Sequence, residues 1–131
     1  FGIITLLFQD HVGGLELEDR ARPGTFVPVA PVKVGLGQKS EMVVNISDTF
    51  QRWTNGVIKA GLHQVSAPPA YKAAAAPDDI LPERHSCVFF FKASRNTSAG
   101  PLPEFVTADN PAQYDEITAL EYQQRMTKEL Y

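Results

Sequence analysis

At 131 residues, 44% apolar and 21% charged, the chain has the make-up of one soluble globular domain and is too short for a second. Its 12 basic against 15 acidic side chains leave a net charge of −3 with no Lys/Arg cluster, which gives no electrostatic footprint for nucleic acid. The longest apolar stretches, Gly2–Phe8 and Cys87–Phe91, fall far short of the roughly 20 residues of a membrane span, no basic n-region precedes an apolar core, and a lone Cys87 cannot close an internal disulfide, so the cytoplasm is the expected location.

β-branched and aromatic residues come in short bursts between Gly, Pro, Asn and Asp, at the roughly 8–12-residue spacing of a sandwich or barrel. Ile3–Phe8 is the first predicted strand. A buried-type strand that begins at residue one reads as a chain cut from a larger domain. A turn at Asp10–Gly14 follows, then Leu15–Glu18, whose apolar–acidic alternation predicts a strand with one wet face. Arg22-Pro23-Gly24 turns the chain into a third strand, Thr25–Val29, which Pro28 and Pro31 confine to a sheet edge. Gly35–Ser40 reads as loop, Met42–Ile46 as a strand buried on both faces, and Thr49–Trp53 as a helical turn. Asn55-Gly56 is a hairpin-type turn, predicting a returning strand over Val57–Val65 that carries His63 and ends at Pro68-Pro69.

Ala73–Asp79 is a surface loop or weak helical turn. Arg84–Phe91 reads as the last core strand, with Arg84, Ser86, Val88 and Phe90 on one face and His85, Cys87, Phe89 and Phe91 on the other. Both faces are substantially apolar, which calls for packing on each side, as in a jelly roll with flanking helices. Ser94–Pro103 is loop. A C-terminal helix is signalled by the capping box of Thr118 with Glu121 and by the stripe Tyr122, Met126, Leu130.

Three histidines, His11, His63 and His85, invite a metal reading, but no pair has local ligand spacing: there is no H-x-x-x-H, H-x-D or H-x-E. His63 stands out because it sits within an apolar strand. Arg84 and Ser86, a guanidinium and a hydroxyl at i and i+2, share a face among Val and Phe. Burying a guanidinium there calls for an anion: either a ligand carboxylate, which the fork of donors suits, or an internal partner such as Glu83 or Asp48. Cys87 has no base at a recognisable spacing and reads as a small core residue. Gly13-Gly14 lacks any phosphate-loop pattern, and Phe89-Phe90-Phe91 has no interleaved basic residues of a stacking platform.

Taken in order, Phe1-Gly2-Ile3-Ile4-Thr5-Leu6-Leu7-Phe8-Gln9-Asp10, Gly13-Gly14-Leu15-Glu16, Val43-Val44-Asn45-Ile46-Ser47-Asp48, Gln51-Arg52-Trp53-Thr54-Asn55-Gly56, Leu62-His63-Gln64-Val65 and Arg84-His85-Ser86 before Val88-Phe89-Phe90-Phe91 carry a resemblance. Over about Phe1 to Phe91 the chain resembles the C-terminal half of the oxygenase domain of the isopenicillin N synthase-like family of non-haem Fe(II)/2-oxoglutarate-dependent dioxygenases. The resemblance implies a mainly β double-stranded β-helix, or jelly roll, incomplete at its N-terminus. Residues 1–95 would be the C-terminal portion of that domain, with 96–131 a loop and helix packed on it.

The family's iron is held by a facial triad of two histidines and a carboxylate. By resemblance His63 matches the distal histidine, and Arg84 and Ser86 match the pair that binds the far carboxylate of 2-oxoglutarate. In the family's ring-closing namesake the corresponding pair holds a substrate carboxylate instead. The H-x-D motif of the other two ligands stands, in such proteins, immediately before the residues matching Phe1-Gly2, and this sequence lacks it. Gln64 replaces a common arginine, Ser47 replaces a glycine, and the loop Gly35–Ser40 looks longer than usual. The implied function is oxidation of a small organic molecule by O2, coupled to decarboxylation of 2-oxoglutarate to succinate. The alternative is a non-catalytic remnant or pseudoenzyme lacking two iron ligands. Substrate and oligomeric state leave no signal in the sequence.

Overall fold

The computed structural model describes residues 2–31, 41–68, 71, 80 and 82–128. The expectations for Gly35–Ser40, Ala73–Asp79, Pro69 and Leu130 lie outside the described residues. The described chain is mainly β: β1 (Ile4–Gln9), β2 (Leu15–Glu18), β3 (Phe26–Pro28), β4 (Val43–Ile46), α1 (Asp48–Trp53), β5 (His63–Val65), β6 (Ser86–Phe91), a single 3₁₀ turn at Pro103–Phe105, and α2 (Ala119–Lys128). These strands form two three-stranded sheets, ordered β4-β1-β6 and β3-β2-β5. By contacts the chain divides into two compact units, one of Phe1–Leu6, Val44–Ala60 and Phe89–Tyr131, the other of Leu7–Val43 and Gly61–Val88.

In the first unit the turn at Asn55-Gly56 does a different job from the one its sequence suggests. It closes α1 rather than a hairpin. Asn55 takes φ 46° and Gly56 φ 78°, and their N–H groups bond back to Arg52 O (3.0 Å) and Gln51 O (2.9 Å), the two-bond pattern of a Schellman cap. The strand predicted over Val57–Val65 therefore shrinks to three residues. The N–H groups of Val57, Ile58 and Ala60 bond to Thr54 O, Thr54 Oγ1 and Gln51 Oε1, so none is left for a ladder. Arg52 and Asn55 then anchor the segments that follow β6. Arg52, 5% exposed, donates to Ala99 O at 2.8 Å and to Asp115 Oδ1 at 2.8 Å. The capping box forms as predicted: Thr118 N donates to Glu121 Oε2 (2.9 Å), and Glu121 N to Thr118 Oγ1 (3.2 Å).

In the second unit β2 is antiparallel to both neighbours, pairing Leu17 with Val27 and with His63. β3 is an edge strand, as its prolines require. The predicted wet face of β2 is corrected: Glu16 is 7% exposed, because Gln64, directly opposite, donates Nε2 to Glu16 Oε2 at 2.7 Å. At the head of β2, Gly14 (φ 91°) must be glycine, since a Cβ there would come within 2.6 Å of Ser66 O.

Two further expectations are corrected. Met42–Ile46 is not buried on both faces: β4 is an edge strand, and Val44 is 56% exposed. β6 is likewise an edge strand, not a core one, with Phe89 59% exposed. Its period-2 geometry holds, for Phe89 and Phe91 share a face and meet edge to face at 4.8 Å.

Candidate functional site

Arg84 and Ser86 come together as the strand pattern requires. Arg84 lies two residues ahead of β6, half-buried, with Nη1 3.5 Å from Ser86 Oγ. Its Nε donates to Gly13 O at 2.5 Å, which fixes the plane of the guanidinium against the turn before β2. β6 starts only at Ser86 because the backbone of His85 bonds to Asp10 instead: His85 N donates to Asp10 Oδ2 (2.6 Å), and Asp10 N to His85 O (3.1 Å). The N–H of His85, followed by that of Val12 (3.0 Å), holds the Asp10 carboxyl below its usual range.

The internal partners that could have answered the guanidinium are engaged elsewhere. Glu83 Oε1 lies 3.2 Å from His85 Nε2, and Asp48 accepts the Tyr122 hydroxyl. Among the described residues no carboxylate forms an ion pair with Arg84. Its Nη edge, next to a hydroxyl, is a donor set that fits an external carboxylate.

His63 opens β5, opposite Leu17 of β2. Its Nδ1 lies 3.0 Å from Gly61 O. This contact with a backbone carbonyl orients the imidazole ring. Arg84 is anchored at Gly13, in the turn before β2, and His63 is paired with Leu17 within β2. Among the described residues no three His, Cys, Asp or Glu side chains are grouped to hold a metal ion. His11 and His85 do not join His63, and Cys87 is exposed rather than in a core.

Gly13 and Asp10 are the site residues that sequence reasoning missed. Both were legible as turn residues. Their partners lie 71 and 75 positions away, and no local pattern encodes that pairing.

A family model described as 2OG-Fe(II) oxygenase superfamily matches residues 1–93. A protein of Aspergillus flavus named peptide transporter imqJ is 60% identical over 99% of this chain and 25% of its own length. The 2-oxoglutarate-dependent dioxygenase phqC of Penicillium fellutanum is 52% identical over 99% of the chain and 35% of its own length. The chain thus spans about a third or less of these relatives. Among solved structures, a full-length Neurospora crassa protein in complex with alpha-KG superposes with a TM-score of 0.77 at 29% identity, covering 100% of this chain and 36% of that one. No helix among the described residues is long and apolar enough to cross a membrane.

Proposed function

The chain belongs to the 2OG-Fe(II) oxygenase superfamily, and from that premise we propose that Arg84 and Ser86 hold the far carboxylate of 2-oxoglutarate and that His63 is one iron(II) ligand. The observation that carries this reading is the Arg84 guanidinium, half-buried, fixed by Gly13 O and set beside a hydroxyl, with no carboxylate partner among the described residues. The whole protein would oxidise a small organic molecule with O2 while 2-oxoglutarate is decarboxylated to succinate; bound iron supplies the oxygen chemistry.

This chain's own contribution is binding and orientation. Gly13 O orders the guanidinium so that its Nη edge faces the carboxylate, and Ser86 adds a neutral donor beside it. The contact with Gly61 O orients the His63 ring. Of the family's two-histidine, one-carboxylate set, His63 is the ligand that this reading assigns among the described residues.

The test of the carboxylate site is a titration with 2-oxoglutarate followed by backbone amide shifts. Signals of Gly13, Gly14, His85 and Ser86 are expected to move. Glutarate, which keeps the far carboxylate and lacks the keto group, moves them too. Arg84→Ala removes a charged hydrogen bond of about 1.5–3 kcal/mol and weakens binding about ten- to a hundredfold. An Arg84→Ala chain that responds like the parent overturns the assignment.

A further inference from the structure

Within the first unit a half-open hollow of about 180 Å³ lies against α1, residues 92–95 and α2. We propose that it binds a small molecule joining one carboxylate to an apolar group the size of a single ring. The proposal is independent of the role given to Arg84.

Size and lining argue for the apolar part. A dry cavity of roughly 150 Å³ suffices for benzene, and here Ala93, Leu120 and Met126 supply the apolar wall. The charge argues for the anion. Lys92 and Arg95 both line the hollow, and among the described residues neither has an ion-pair partner. Arg22, Arg52 and Arg125, by contrast, are each matched to an aspartate. The hollow's one carboxylate, Asp48, accepts the Tyr122 hydroxyl, so two cations face the space against one engaged acid.

The N-terminus of α2 is not the attracting feature. Its first N–H groups are all bonded: Ala119 to Thr97 O, Leu120 to Arg95 O, Glu121 to Thr118 Oγ1 and Tyr122 to Thr118 O. Recognition of the anion falls to the two basic side chains, whose long apolar stems also extend the wall.

Phenylacetate is the probe, with phenylacetamide as its neutral isostere, each titrated into the chain and followed by backbone amide shifts. Shifts from phenylacetate are expected to cluster at residues 92–95 and 119–126, with the amide binding at least about tenfold more weakly. The double substitution Lys92→Gln, Arg95→Gln should abolish the preference for the acid while leaving the unfolding midpoint unchanged. Arg84→Ala should leave phenylacetate binding intact. The proposal is overturned if phenylacetate gives no response, if acid and amide bind equally, if the double variant keeps the preference, or if Arg84→Ala removes binding, which would put the probe at the other site.

Discussion

Asn55 shows how much one side chain can organise. It is fully buried in a left-handed conformation, φ 46°. Its Nδ2 donates to Asn110 O (3.0 Å) and Pro111 O (3.1 Å), and its Oδ1 accepts from Gln113 N (2.8 Å). One residue thus ends α1 and pins the segment 110–113. Asn55→Gly keeps the backbone conformation and loses these side-chain bonds together with a longer one to Phe105 O (3.4 Å), an expected cost of about 2–3 kcal/mol. Asn55→Ala adds the left-handed penalty of about 1 kcal/mol. Chemical denaturation of the two variants tests this, and equal midpoints would show that backbone strain plays no part. Asn-Gly was legible as a turn because both residues tolerate positive φ. What the turn joins was not, since a hairpin and a Schellman cap use the same dihedral signal.

Among the elements, Asp115 is one of the ties between α2 and α1. Asp115 accepts from Arg125 (2.8 Å) and from Arg52 (2.8 Å), and Arg52 stacks over the rings of Tyr122 (4.5 Å) and Tyr114 (5.1 Å). The hydrogen bond from Arg125, then that from Arg52, pulls the Asp115 carboxyl from 3.8 down to about 2. A carboxyl whose folded pKa is depressed adds stability that is complete above the unfolded value and lost as pH falls through the folded one. Asp10 and Glu121 are shifted the same way, by the N–H groups of His85 and Thr118 respectively. Stability is therefore expected to drop between about pH 4 and pH 2, and Asp115→Asn should flatten that slope. Thermal melts across this window measure it; an unchanged slope in the variant would detach the pH response from this aspartate. The helix itself was legible, because its capping box is local. Its tie to Arg52 was not, since the partner lies 63 residues away.

At the scale of the whole molecule, the notable feature is apolar side chains on edge strands. Phe89, Phe90 and Phe91 of β6 are 59%, 49% and 49% exposed, and among the described strands β6 pairs with β1 alone. Exposed edges of this kind favour pairing with further chains. The chain by itself is expected to bind an apolar fluorescent dye and to self-associate with rising concentration, and Phe89→Lys with Phe91→Lys should suppress both. Sedimentation showing a monomer without dye binding would contradict this. The sequence predicted apolar residues on both faces of this strand and inferred that both were covered. The first half holds, while the second depends on neighbours that a strand's own pattern cannot supply.

Local chemistry was settled by the sequence alone: the capping box at Thr118, the edge position of the proline-bearing β3, the alternation along β6, and the pairing of Arg84 with Ser86. Each depends on residues a few positions apart, where backbone geometry leaves few choices. Tertiary structure decided the rest: that Glu16 is buried against Gln64, that Asn55-Gly56 caps a helix, and that Gly13 O, not a carboxylate, orients Arg84. These depend on partners 48 to 71 residues away or on competition for backbone donors, and only the folded chain resolves such competition.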